Sequence, residues 1–221
     1  VPAIEDRLHE ATTAPLTTLV DPRHRVRPPP EHLHSWRIPE PDRRALADFG
    51  LPDDLLMTPA FQTGPDPTLS PNIAGPLEAE HARADDRLYD LGHWGAHDRT
   101  PKIGAVAGDG RVLAVRPAPL TAADLHPGLR DHYRDLYRPA VMPVNSSASA
   151  LVETAWRVRA ALAALIDLDA PPEPPPGPVA DAHDARRSAC EAMVLEALAR
   201  IDPAACGPDS LWAEVVTDPG Y

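Results

Sequence analysis

The stretch from Tyr89 to Pro117, YDLGHWGAHDRTPKIGAVAGDGRVLAVRP, leaves the chain few ways to fold. Its Asp109-Gly110 pair has the backbone freedom of a two-residue type I′ turn, and β-rich runs flank it, Ile103 to Val106 before and Arg111 to Arg116 after. That pattern predicts a hairpin. In the second arm Val112, Ala114 and Arg116 alternate with Leu113 and Val115, so one face meets a core and the other meets water or a second layer. A third strand is expected from Arg87 to Leu91, ahead of Gly92. Two or three strands alone are marginal in water, so helices from either side of this stretch must cover the sheet.

The 221 residues suffice for one elaborated domain with a sizeable core. Proline is the anomaly: 29 prolines against 5% aromatic residues predict long ordered loops and a core built mainly of Leu, Val, Ala and Ile with scattered tryptophans. The formal charge of -12 argues against direct binding of nucleic acid or anionic membrane and favours a cationic partner, although moderate acidity is also ordinary in bacterial cytosolic proteins. Lys102 is the one lysine, an arginine bias that fits a GC-rich genome. Cys190 and Cys206 form neither a disulfide framework nor a metal-ligand spacing, so reduced thiols are expected. The sequence opens with no charged-then-apolar leader and has no apolar run of bilayer-spanning length, which predicts a cytoplasmic protein.

In chain order, Ile4 to Thr13 reads as a short helix with Ile4, Leu8 and Ala11 on one side, and Leu16 to Val20 as a short strand or turn after Pro15. Repeated proline from Pro22 to Pro30 predicts a linker or strap outside any regular element. Pro41 in a first turn, the apolar face of Ala45, Leu46 and Phe49, and the stop at Gly50-Leu51-Pro52 define a short helix. Asp53 to Phe61 reads as a buried edge strand, Gln62 to Pro76 as a long loop, and Glu78 to Asp86 as a charged surface segment with a helical turn. Thr121 to His126 and Gly128 to Tyr137 carry Leu129, Tyr133 and Leu136 at helical intervals. Asn145-Ser146-Ser147 starts the longest helix, to Leu168, with Trp156 in the core. A stiff spacer from Pro171 to Pro178, a helix from Asp181 to Ile201 and a closing strand from Ser210 to Thr217 complete the chain.

Candidate chemistry is sparse. His93, His97 and Asp98 are the first place to seek a metal or an acid-base pair, but histidines four apart share a side only on a helix, and Gly92 and Gly95 favour a turn between strands. His32-Leu33-His34 has strand alternation without a nearby acid or thiol. His183, Asp184 and Cys190 fall on one helix and make no nucleophile, base and orienting group. No nucleophile elbow, zinc-protease, deaminase, Walker or dinucleotide motif occurs. The reading is therefore no catalytic, cofactor or metal residues. Acidic side chains cluster more informatively: Glu78, Glu80, Asp85, Asp86 and Asp90 precede the hairpin and Asp98 follows, with His93 among them. Such a run is ordinarily a solvated face; the sharper reading is a patch that docks on a basic protein.

Taken in order, WRIPEPDRRALADFGLP, RLYDLGHWG, KIGAVAGDGRVLAVRP and VNSSASALVETAW resemble the SUKH superfamily of bacterial immunity proteins, within it the fourth SUKH immunity subfamily abundant in actinobacteria. The resemblance runs from Trp36 to Trp156, with LWAEVV as a candidate addition. It implies an α+β fold with a central antiparallel sheet flanked by helices, and a protein that binds and neutralises a cognate toxin of a polymorphic system, often a nuclease or nucleic-acid deaminase, by occluding its active or substrate-binding surface. The partner is then a basic toxin domain, with no nucleic acid, no membrane and no cofactor, and the protein a monomer or weak dimer. Domain expectations are an N-terminal extension over 1–34, the α+β domain over 35–170, and a spacer, helix and closing strand over 171–221 packed on the same domain. Two other readings stay open: an adaptor of the same fold, and a small metal-dependent hydrolase using His93, His97 and Asp98.

Overall fold

The computed structural model describes residues 3–54, 56–95, 100–169, 177–207 and 210–219. The first part of the chain forms α1 (Ile4–Thr13), α2 (Leu16–Leu19), β1 (Arg25–Val26), α3 (Pro30–Ser35), α4 (Glu40–Asp48), β2 (Leu51–Pro52), β3 (Met57–Pro59) and α5 (Pro76–His81). Then follow β4 (Leu88–Trp94), β5 (Lys102–Val106), β6 (Val112–Val115), β7 (Leu120–Thr121), α6 (Pro127–Arg130), β8 (Tyr137–Arg138) and β9 (Val141–Asn145). Three helices close the chain, α7 (Ala148–Asp169), α8 (Pro178–Ile201) and α9 (Leu211–Thr217).

Alternation along β6 decides the architecture. Val112 and Ala114 enter the main core, Leu113 and Val115 a second, smaller cluster, and all four are buried. The sheet is therefore covered on both faces. It is antiparallel throughout, in the order β3-β4-β5-β6-β9, with Ile103 opposite Ala114 and Tyr89 opposite Ala105. On the first face α7 brings Leu151, Val152, Ala155 and Trp156 against Tyr89, Leu91 and Ile103, while α1, α4 and α8 pack around α7. Each such large side chain taken out of water contributes about 1.5–3 kcal/mol. On the second face the loop from Gln62 to Pro76 lays Leu69 and Ile73 over Leu88, Leu113 and Val115. Gln62 shapes that loop, its Oε1 accepting from the Asp90 amide (3.0 Å) and the Thr68 hydroxyl (2.9 Å). The expected α+β class, with a central antiparallel sheet, flanking helices and a helical C-terminal part, is what the chain forms.

Several local expectations fail for identifiable reasons. The hairpin tip is a four-residue loop, Ala107–Gly110, closed by the Val106 amide on the Arg111 carbonyl (2.8 Å). Positive φ falls on Gly108 and Gly110 and not on Asp109, because a type I′ turn would force a side-chain-bearing residue into the left-handed region that two glycines adopt freely. The proline strap contains a strand after all: Arg25 and Val26 pair with Pro52 and Leu51. Leu16–Leu19 is helical, and so is His32-Leu33-His34, where Pro30 at the first helical position seeds a turn that the alternation concealed. The closing strand is helix α9, since Ser210 caps it by accepting from the Ala213 amide (3.1 Å) and a short apolar run fits either a buried helix or a strand. Between Thr121 and Tyr137 helix is limited to one 3-10 turn, Ala122–Asp124, and α6; Leu129 and Tyr133 stay exposed, so no apolar face holds a longer helix. The spacer expected at Pro171 to Pro178 falls, up to residue 176, outside the described residues.

Candidate partner-binding groove

Strands β6 and β9 are neighbours in the sheet, yet residues 117–139 leave it as an arm between them. The base of the arm is clasped by the β7-β8 pair, Leu120 opposite Arg138 and Thr121 opposite Tyr137. Its first turn is fixed by a capping box in which the Asp124 carboxylate accepts from the Thr121 amide (2.8 Å) and hydroxyl (2.9 Å), which holds the Asp124 carboxyl below its usual range.

Glu78 ties the arm to α5. Its carboxylate is fully buried and accepts from the Tyr137 hydroxyl (2.9 Å) and the Ala140 amide (3.0 Å). Burial alone would raise its pKa, but these donors, with the amides of Gly75 and of Glu78 itself, outweigh burial and lower it. The same hydrogen bond pushes the Tyr137 phenol upward.

Between α5, the free edge of β9, the 3-10 turn Pro203–Cys206 and α9 lies a groove of about 640 Å³. Leu77, Tyr137 and Met142 supply its apolar lining and Glu80 and His81 a polar wall. Arg138 and Glu214, joined as an ion pair, form a ridge shared with a second groove of about 410 Å³ beside Trp94. Pro143 on the edge strand has no amide to offer an incoming strand, so recognition here falls to side chains. The exposed large apolar side chains concentrate on this groove and its arm: Leu77, Leu129, Tyr133 and Tyr137, against Ile166 and Val179 elsewhere among the described residues. Tyrosine and arginine around an apolar centre with a charged rim are features shared with protein-binding surfaces.

The acidic residues singled out in the sequence divide. Glu80 and Asp85 are exposed, Glu80 on the groove wall and Asp85 in the turn after α5. Glu78 is consumed by the clasp. Asp86 is buried, accepting from the Arg83 amide (2.9 Å) and the Arg111 guanidinium (3.1 Å). Asp90 is also buried, meeting Lys102 Nζ at 2.5 Å and the Gly92 amide at 2.9 Å. His93 is half-buried on β4 opposite Lys102. His97 and Asp98 lie outside the described residues, among which no group of three or more His, Cys, Asp or Glu side chains is placed to hold a metal. Sequence reasoning missed Leu77, Tyr137 and the arm. The arm's one signal was an apolar series set among Asp, Arg and His from 124 to 138, too polar to be a core helix; Leu77 lies outside it.

A family model for SUKH-4 immunity proteins matches residues 11–218, from within α1 to just past α9. No curated protein and no solved structure matches the chain. With the match spanning nearly the whole chain and the sheet, its helical cover and the arm all inside it, the protein belongs to the SUKH-4 immunity protein family.

Proposed function

We propose that this immunity protein neutralises a cognate basic toxin domain, of the nuclease or nucleic-acid deaminase kind, by seating it on the groove between α5, β9 and α9 and occluding its active or substrate-binding surface. The observation that carries this reading is the exposure of Leu77 and Tyr137 in the lining of the groove, with Leu129 and Tyr133 exposed on the adjoining arm. Charge supports the choice of partner: a chain of net charge -12 with Glu80 on the groove wall attracts a cationic surface and steers its approach. The protein acts by binding and alters no substrate.

The test pairs this chain with the toxin domain encoded beside it. Co-expression rescues growth, and calorimetry gives a complex whose affinity falls as salt rises. Leu77→Arg, at an exposed position, keeps the fold and weakens binding at least tenfold, or about 1.4 kcal/mol. A toxin neither neutralised nor bound sinks the reading for that pair; unchanged affinity in both Leu77→Arg and Tyr133→Ala moves the interface away from this groove.

A further inference from the structure

Leu77, Glu80 and His81 stand three and four apart on α5, so they share the face of that helix that walls the groove. Two carboxylates line the groove among the described residues, and their surroundings differ. Glu214 is paired with Arg138. Glu80 is exposed and has neither an ion pair nor a hydrogen bond among the described residues. Glu78, one turn away on the buried side of α5, is held by the Tyr137 hydroxyl and the Ala140 amide and offers a partner nothing.

The groove thus presents one uncompensated negative charge beside an apolar lining. Leu77 is 45% exposed there, with Met142 nearby on β9. Tyr137 is 42% exposed, and its hydroxyl is fastened to Glu78 (2.9 Å), which fixes the ring in place with its polar end already satisfied. What remains for a visitor is the apolar, electron-rich body of that ring.

Resting on the reading that this groove seats the toxin, we infer that its anchor is an arginine of the toxin domain, the guanidinium paired with Glu80 and laid on the Tyr137 ring, the stem on Leu77 and Met142. Arginine fits each part of that lining: its planar fork meets a carboxylate at two points, the same plane stacks on an aromatic ring, and its alkyl stem covers apolar surface. A lysine supplies the charge without the fork. On a free surface such a pair adds little, because water screens it. Covered by the partner it is desolvated, and removing one member becomes costly. At about 640 Å³ the groove exceeds a single side chain, so an apolar neighbour of that arginine fills the remainder against Val141 and Pro143.

Double-mutant cycles with the toxin domain encoded beside this chain test the inference. Each exposed arginine and lysine of the toxin is replaced in turn by alanine, and affinity is measured by calorimetry against the native chain and against Glu80→Gln, a nearly isosteric change at an exposed position. The expected result is one toxin arginine whose loss weakens binding to the native chain at least tenfold and binding to Glu80→Gln less than threefold, with lysine at that toxin position restoring only part of the affinity. Equal losses in both backgrounds for every substitution, or coupling of Glu80 to a lysine alone, overturn the arginine anchor. If Leu77→Arg still weakens the complex in that case, the groove stands as the interface and only the anchor falls. A toxin that does not bind, or that binds Leu77→Arg and Tyr133→Ala unchanged, removes the groove and the anchor together.

Discussion

Asp202 does more for the fold than its place after a helix suggests. Buried at 1% exposure, its carboxylate accepts from the Ser146 amide (2.6 Å), the Asn145 side-chain amide (3.0 Å) and the Ala204 amide (3.2 Å). Asn145 in turn accepts from the Trp212 indole (3.0 Å), so one acid joins the end of β9, the approach to α7, the end of α8 and α9. Asp202→Ala leaves several buried donors unpaired and is expected to lower stability by about 3 kcal/mol, seen as a lower urea midpoint with unchanged slope. Gly110 is the second test at this scale. At φ 77, a Cβ on it would overlap the Asp42 carboxylate, which holds the Ser149 amide at the start of α7 (2.8 Å). Gly110→Ala should therefore lose more than about 1 kcal/mol in thermal melts, combining left-handed strain with a displaced cap. Neither contact was legible beforehand: Asp202 and Gly110 meet partners far away in sequence, and local pattern assigns them only to a helix end and a turn.

At the level of elements, the arm from 117 to 139 is tied to α5 by one buried carboxylate. Glu78 titrates below its ordinary value of 4.5 in the folded protein, so the stability it adds is present above that pH and is lost as pH falls through the lower, folded value. The expected result is a stability gap between the native chain and Glu78→Gln that is full near neutral pH and shrinks on acidification, followed by urea unfolding across pH. The element that best separates sequence from structure is α9. Leu211, Trp212, Ala213 and Val216 are buried, a set that reads equally as strand or helix until Ser210 is seen to cap it. Ser210→Ala should cost about 1 kcal/mol and expose the groove floor beside Glu214.

For the whole molecule, charge and shape act on different steps of association. Glu80 and Asp85 are exposed, so if the proposed toxin partner is cationic, Glu80→Lys with Asp85→Lys should slow association with it and flatten its salt dependence, as surface plasmon resonance at two ionic strengths would show. Loss of Tyr133, exposed on the arm, should instead speed dissociation. The fold covers both faces of its sheet: the helices take one, the proline-rich loop takes the other, and Leu77, Leu129, Tyr133 and Tyr137 are left exposed on α5 and the arm.

What the sequence determined by itself was whatever depends on neighbours along the chain. The span of α1, the stop of α4 at Gly50, the hairpin of β5 and β6, the capped start of α7 and the α+β class all follow from periodicity, turn residues and caps within a few positions. What only the tertiary structure decided was which acids face water. Glu78, Asp86 and Asp90 are as polar in sequence as Glu80 and Asp85, yet a hydroxyl from the arm, the Arg111 guanidinium just ahead of β6 and an ammonium from β5 draw them inside. Burial of a charge is settled by the partner that compensates it, and that partner arrives from elsewhere in the chain.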